Sequence, residues 1–221
     1  MGGINHQPCK KYLVESTRLS RSISRARAHF ELANVAFENA LLSEMDDKVE
    51  VVSALNRCIS LLNICVVDLE EAGSNLAKLH KKMDERDFQD LSSLQETDIE
   101  SLGQTLFKGE RLATLTTWRR ASSIIRKGGY RAMMKVIDGE INALLSEIKN
   151  LSDAFGELRT KFPSIGIGTV LEQNLPGNIR LQFAAVYSHW TEFSSLFLCS
   201  SLISTELSYK EQGYRTLSES I

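Results

Sequence analysis

The four histidines and four cysteines are the residues of this chain best suited to metal or nucleophilic chemistry, and their spacing limits what they can do. None of His6, His29, His80 and His189 has a carboxylate three residues before it, so the Glu-x-x-His pairs of di-iron bundles are absent. No His-Glu-x-x-His zinc motif occurs either. His29 and His80 fall on helical faces, where partial exposure or an ordinary hydrogen bond accounts for them. His189, beside Trp190 and three residues before Glu192, reads as a histidine bonded to a neighbouring helix. Cys58 and Cys65 lie one heptad apart on one helical face, amid Ile59, Leu62 and Val66, and act there as small buried hydrophobes. With Cys9 and Cys199 they form neither a disulfide framework nor a zinc-binding pair, which favours a reducing compartment.

Phosphate and acyl chemistry find no better footing. Gly166-Ile167-Gly168 is not followed by the Lys-Ser or Lys-Thr of a phosphate-binding loop, and no serine sits in Gly-x-Ser-x-Gly. Helical ribonucleases of toxin–antitoxin systems place four to six residues between an Arg and a His, whereas only three separate Arg25 from His29. The sequence therefore assigns no catalytic, cofactor-binding or metal-binding residue, and the expectation is a protein that is not an enzyme.

Two basic clusters remain. Arg18, Arg21, Arg25 and Arg27 lie on the first helix. Trp118, Arg119, Arg120, Arg126, Lys127 and Arg131 surround Gly128-Gly129, with Tyr130 at the edge, and form a candidate interaction surface. Arginine beside aromatic residues suits phosphate backbones or anionic lipid headgroups. The net charge of −2 argues against nucleic acid as the partner of the whole chain, and the 28 acidic residues can balance these cations as a solvated face.

The elements that must position these residues are helices. Hydrophobic residues make up 43% of the 221-residue chain and charged residues 24%, enough apolar surface for a sizeable core. Only Pro8, Pro163 and Pro176 interrupt it, so a long stretch is free of the strongest helix breaker. Leu19, Ile23, Ala26, Phe30, Ala33, Phe37 and Ala40 alternate by four and three. So do Val52, Leu55, Ile59, Leu62, Val66, Leu69, Gly73 and Leu76, and the row Met134, Ile137, Ile141, Leu144, Ile148, Leu151, Phe155, Leu158 and Phe162. Such seams belong to helices packed nearly parallel to a neighbour. Gly73 within its seam suggests close helix approach. Helices are expected over about 10–43, 47–84, 98–127, 130–162 and 178–212, with Asp98 as an N-cap, Gly128-Gly129 as a break and a non-helical loop at 163–177. The expected fold is all-α, a single domain over 1–221, forming an elongated antiparallel bundle of four or five long helices with coiled-coil-like packing.

The last of these helices is too apolar for water on all sides. From Leu181 to Thr205 it carries one charge, Glu192, while Phe183, Trp190, Phe193 and Phe197 mark it as a buried or docking helix. The leading functional expectation is a non-enzymatic bundle acting through protein–protein interaction or self-assembly, with a protein partner or a second copy of itself. The alternative is a membrane-active α-helical protein. In its long bundle and late Trp-containing apolar helix, the chain is similar in architecture to α-helical pore-forming toxins of the cytolysin A type. It departs from them in length and in lacking a fully apolar insertion hairpin, leaving 165–170 or 193–203 to serve. A second alternative is a nucleic-acid- or anion-contacting bundle using the cluster 118–131. No signal peptide or run of about 20 consecutive apolar residues occurs, so a cytoplasmic location is expected over a secreted one.

Overall fold

The computed structural model describes residues 7–42, 48–82, 112–172 and 175–211, all of them helical. They form α1 (Gln7–Leu42), α2 (Lys48–Lys82), α3 (Leu112–Glu172) and α4 (Leu175–Glu211), so the protein is an all-α helical bundle. The chain divides into two compact units. The first comprises Met1–Arg18, Asn75–Glu140 and Thr191–Ile221; the second comprises Leu19–Ser74 and Ile141–Trp190. The expected N-cap at Asp98 and the helix start near it lie outside the described residues.

In the second unit the helices form a closed ring. Between α1 and α2, the Cys58 thiol donates to the Ala33 carbonyl at 3.5 Å, His29 meets Asp68 at 2.8 Å, and Arg25 pairs with Asp68 and Glu71. Partners on α2 rise in number as those on α1 fall, so these segments are antiparallel. The same reversal links α2 to α3 through Asn56–Arg159, Asn63–Ser152 and Glu70–Lys149. Between α3 and α4 it appears in Phe155–Phe183 and Glu147–His189, and between α4 and α1 in Arg180–Glu38 and Trp190–Phe30. Each segment is antiparallel to both of its neighbours, the up-down-up-down arrangement of a four-helix bundle.

Aromatic rings fill the centre of that ring of helices. Phe37 meets Phe155 edge-on across the bundle at 5.3 Å, Phe183 lies 5.4 Å from Phe30, and Phe30 stacks on Trp190 at 6.0 Å. The α1 seam from Leu19 to Phe37 is buried as its spacing requires, and so is the α3 row from Met134 to Leu158 across the two units. On α2 the buried line is Leu55, Cys58, Leu62, Cys65, Leu69 and Ala72, with Val52, Ile59 and Val66 only half-buried. The core face is rotated toward the cysteines, and Asp68, on that flank, is buried against Arg25 and His29. Gly73 marks no close approach: a Cβ there would meet nothing within 4 Å.

Helix α3 departs from the expected boundaries at both ends of its second half. Its helical assignment passes through Gly128-Gly129 without a gap, yet Arg120 Nη2 lies 3.1 Å from Glu140 Oε1. A straight helix would separate residues twenty apart by about 30 Å. The chain therefore folds back on itself in the first unit. Gly129 supplies the turn with a φ of 67°, and at Gly128 a Cβ would fall 2.6 Å from that of Ala132. The glycine pair does end one helical arm and start another, 112–128 and 130–172. At the far end, the expected non-helical loop 163–177 is corrected. Backbone helix continues through Pro163 to Glu172, and α4 resumes at Leu175. Pairing Phe155 with Phe183 on antiparallel helices leaves the residues between them to run out and back, and they do so as helix with only 173–174 between.

Candidate functional site

The candidate surface around Gly128-Gly129 is held by the fold-back. Trp118, Ala121 and Ile125 on the outgoing arm and Met133, Met134 and Ile137 on the returning arm are buried. Their burial turns the intervening cations outward: Arg119, Arg120, Lys127, Arg131 and Lys135 are exposed. Trp118 is thus corrected from a surface aromatic to a core side chain, 2% exposed. It falls on the buried face because it lies three and seven residues from Ala121 and Ile125. The Arg126 and Tyr130 side chains lie outside those described. From 112 to 137 the sequence holds six cations and no carboxylate. Glu140 meets Arg120 at the open end of the hairpin.

The first-helix arginines behave differently. Arg18 pairs with Glu15 at 3.1 Å and Arg27 with Glu31 at 2.8 Å, both within the helix. Arg25 reaches Asp68, 3.1 Å away on α2, and Glu71 beyond it. Arg18, Arg25 and Arg27 thus act as partners for carboxylates of α1 and α2.

Asp68 had no signal as a charged centre beyond its position in the apolar run Ile64 to Leu69. It is 7% exposed and accepts from Arg25 through one oxygen while its other oxygen meets the His29 ring. On the opposite side of the same unit, His189 Nδ1 lies 3.0 Å from Glu147 on α3. Both histidines are thus bonded to neighbouring helices, as expected for His189; for His29 the hydrogen bond, and not exposure alone, accounts for its place. His6 lies outside the described residues, and among those residues no group of three or more potential metal ligands converges.

The three described cysteines are free and buried. Burial pushes the Cys58 thiol up to about 11, against small opposing effects of a backbone hydrogen bond and Arg57. Burial, with the nearby Asp68 charge, pushes Cys65 up to about 12, and burial pushes Cys199 up to about 11. Such thiols are the opposite of an activated nucleophile. The bonding of Glu38 to exposed Arg180 raises the guanidinium's pKa further.

On α4, Phe183, Trp190 and Phe193 are buried and Phe197 is half-buried. Trp190 Nε1 is buried without a hydrogen-bond acceptor among the described residues. Burial covers one face only. Leu181, Tyr187 and Leu198 are exposed, so α4 is an outer helix of the ring and not one enclosed by the others. The expectation of no apolar span is also corrected: by length and composition, Val49–Lys81 of α2 is apolar enough to cross a membrane, with mean hydropathy 1.5. The expectation demanded an unbroken apolar run, whereas Asn56, Arg57, Asn63 and Asp68 interrupt the run but are few enough to leave the average high.

No protein-family model matches the chain, and neither a curated protein nor a solved structure matches it.

Proposed function

We propose that this chain is a non-enzymatic helical-bundle protein of the cytoplasm that acts through protein–protein contact, including self-association. The observation carrying this reading is apolar surface left on the outside of a unit whose aromatic centre is already filled. Leu32 is 50% exposed and Ile64 45%. Leu32 lies about one turn beyond His29 on α1, and Ile64 about one turn from Asp68 in the same direction on antiparallel α2, so they flank one groove. Apolar residues brought together on a surface suit a partner helix. Light scattering on the wild type and on Leu32→Glu/Ile64→Glu tests this. A defined oligomer that the double substitution dissociates supports it; a wild type monomeric at every concentration removes self-association.

A second reading, a membrane-active bundle such as a soluble component of a cytolysin A-type toxin, draws on the hydropathy of α2, since only 28% of its most apolar window is buried. Against it stand Asp68 and Asn63, both bonded to side chains of neighbouring helices. Liposomes loaded with a self-quenching dye distinguish the two: leakage together with a shift in Trp118 or Trp190 fluorescence would favour the membrane reading.

A further inference from the structure

The side of α2 away from the core carries a second row of residues at seam spacing. Ser53, Arg57, Ser60, Ile64, Val67 and Glu71 follow one another by four and three alternately, and all six are exposed. Inside the bundle, α2 already meets α1 through Cys58 and Asp68 and α3 through Asn56 and Asn63. A repeat of this kind marks a face packed along a further helix. The row also has a centre. Arg57 lies seven residues before Ile64 and Glu71 seven after it, so the row read backwards sets each of these charges against its opposite. Among the described residues Arg57 forms no ion pair, and Glu71, though held by Arg25, keeps 51% of its side chain exposed. On α1, exposed Leu32 and Ala28 stand equally far either side of position 30. The Ala33–Cys58 and His29–Asp68 contacts place that position level with Ile64 to within about a residue. One twofold axis across the helices therefore relates both rows to themselves.

Given that the groove beside Leu32 and Ile64 is the self-association surface proposed above, we infer that its occupant is a second copy of this chain, docked antiparallel about a twofold axis passing Ile64. Ile64 then meets Ile64, and Leu32 of each copy packs against the small Ala28 of the other. Arg57 of each copy pairs with Glu71 of the other, once at each end of the contact. A parallel pairing of the same rows sets Arg57 on Arg57 and Glu71 on Glu71, and like charges in contact oppose it. The antiparallel contact uses the same patch on both copies and closes at a dimer.

Sedimentation equilibrium of the full-length chain tests the register by exchanging charges. The wild type should be a dimer, and Arg57→Glu or Glu71→Arg alone should each raise its Kd about tenfold or more. An equimolar mixture of the two variants should return to wild-type affinity, because every mixed dimer regains both unlike pairs. A mixture no tighter than the separate variants overturns the antiparallel register and leaves self-association standing. A wild type that stays monomeric removes the interface and the register together.

Glu71→Arg also loses the pair with Arg25 inside the chain, so a second measurement leaves that pair intact. In a Cys9→Ser background under mild oxidation, Ile64→Cys should give a dimer linked between the two introduced thiols, identified by mass spectrometry. Arg57→Cys should not link to itself, since its two copies lie about 20 Å apart along the helices. A sedimenting dimer in which Ile64→Cys fails to link, or in which Arg57→Cys links to itself, contradicts the arrangement.

Discussion

Asp68 sits on the flank of α2 that meets α1, nearly out of water; Arg25 compensates its charge through one oxygen and the His29 ring meets the other. Removing both partners leaves a buried carboxylate unpaired. Arg25→Leu/His29→Leu should therefore lower unfolding stability by about 3 kcal/mol in a urea titration. Arg27→Leu, which loses only an exposed pair within one helix, should cost well under about 1 kcal/mol. The thiols make a second prediction at this scale. Each has its pKa raised by folding, from 9.0 to about 11 for Cys58 and Cys199 and about 12 for Cys65. The unfolded chain therefore releases these protons first as pH rises. Their contribution is whole below pH 9 and is lost as pH climbs through 11 to 12, at up to about 1.4 kcal/mol per pH unit for each thiol. Unfolding measured from pH 8 to 10.5 should show a steeper alkaline decline in the wild type than in Cys58→Ala/Cys65→Ala/Cys199→Ala; parallel curves would refute it.

Among the elements, glycines separate requirement from accident. Gly129 adopts a φ of 67° at the fold-back, where a side chain on the backbone costs about 1–2 kcal/mol. Gly73 lies inside α2 with open space where its Cβ would be, so alanine there gains helix propensity without a clash. Gly129→Ala should lower the melting temperature by roughly 2–8 °C, and Gly73→Ala should raise it by about 1–4 °C. A melting temperature that Gly129→Ala leaves unchanged or raises would show that the hairpin does not depend on the left-handed turn. The turn was legible in the sequence as Gly128-Gly129. The helix beyond Pro163 was not, because a proline there removes one backbone hydrogen bond and favours a stop only as a local preference. Paired positions on neighbouring helices decide where the chain must reverse, and those pairs are remote in sequence.

For the molecule as a whole, surface character is the useful scale. Leu32, Val35, Ile64, Val67 and Leu181 remain exposed although the centre of their unit is filled by Phe30, Phe37, Phe155, Phe183 and Trp190. If this apolar surface is an interface, a charge placed in it should act on association and leave the fold intact. Leu32→Glu/Ile64→Glu is expected to keep the helical circular dichroism and the buried-tryptophan emission of the wild type while shifting the mass measured by light scattering to that of a monomer. Loss of helicity would instead make these residues part of the fold.

By itself the sequence determined that the fold is all-α and which α1 and α3 residues form the core, because a seam repeating every three and four residues has one apolar face and must bury it. It also determined that Cys58 and Cys65 are small buried residues and that His189 bonds to a neighbouring helix. Only the tertiary structure decided which side of α2 turns inward, that Trp118 is core while its neighbouring arginines are surface, and that α4 has a wet face. Periodicity fixes the direction of an apolar stripe to within about a residue; the width of that stripe, and which flanking polar group it admits, depend on partners such as Arg25 for Asp68 that lie tens of residues away.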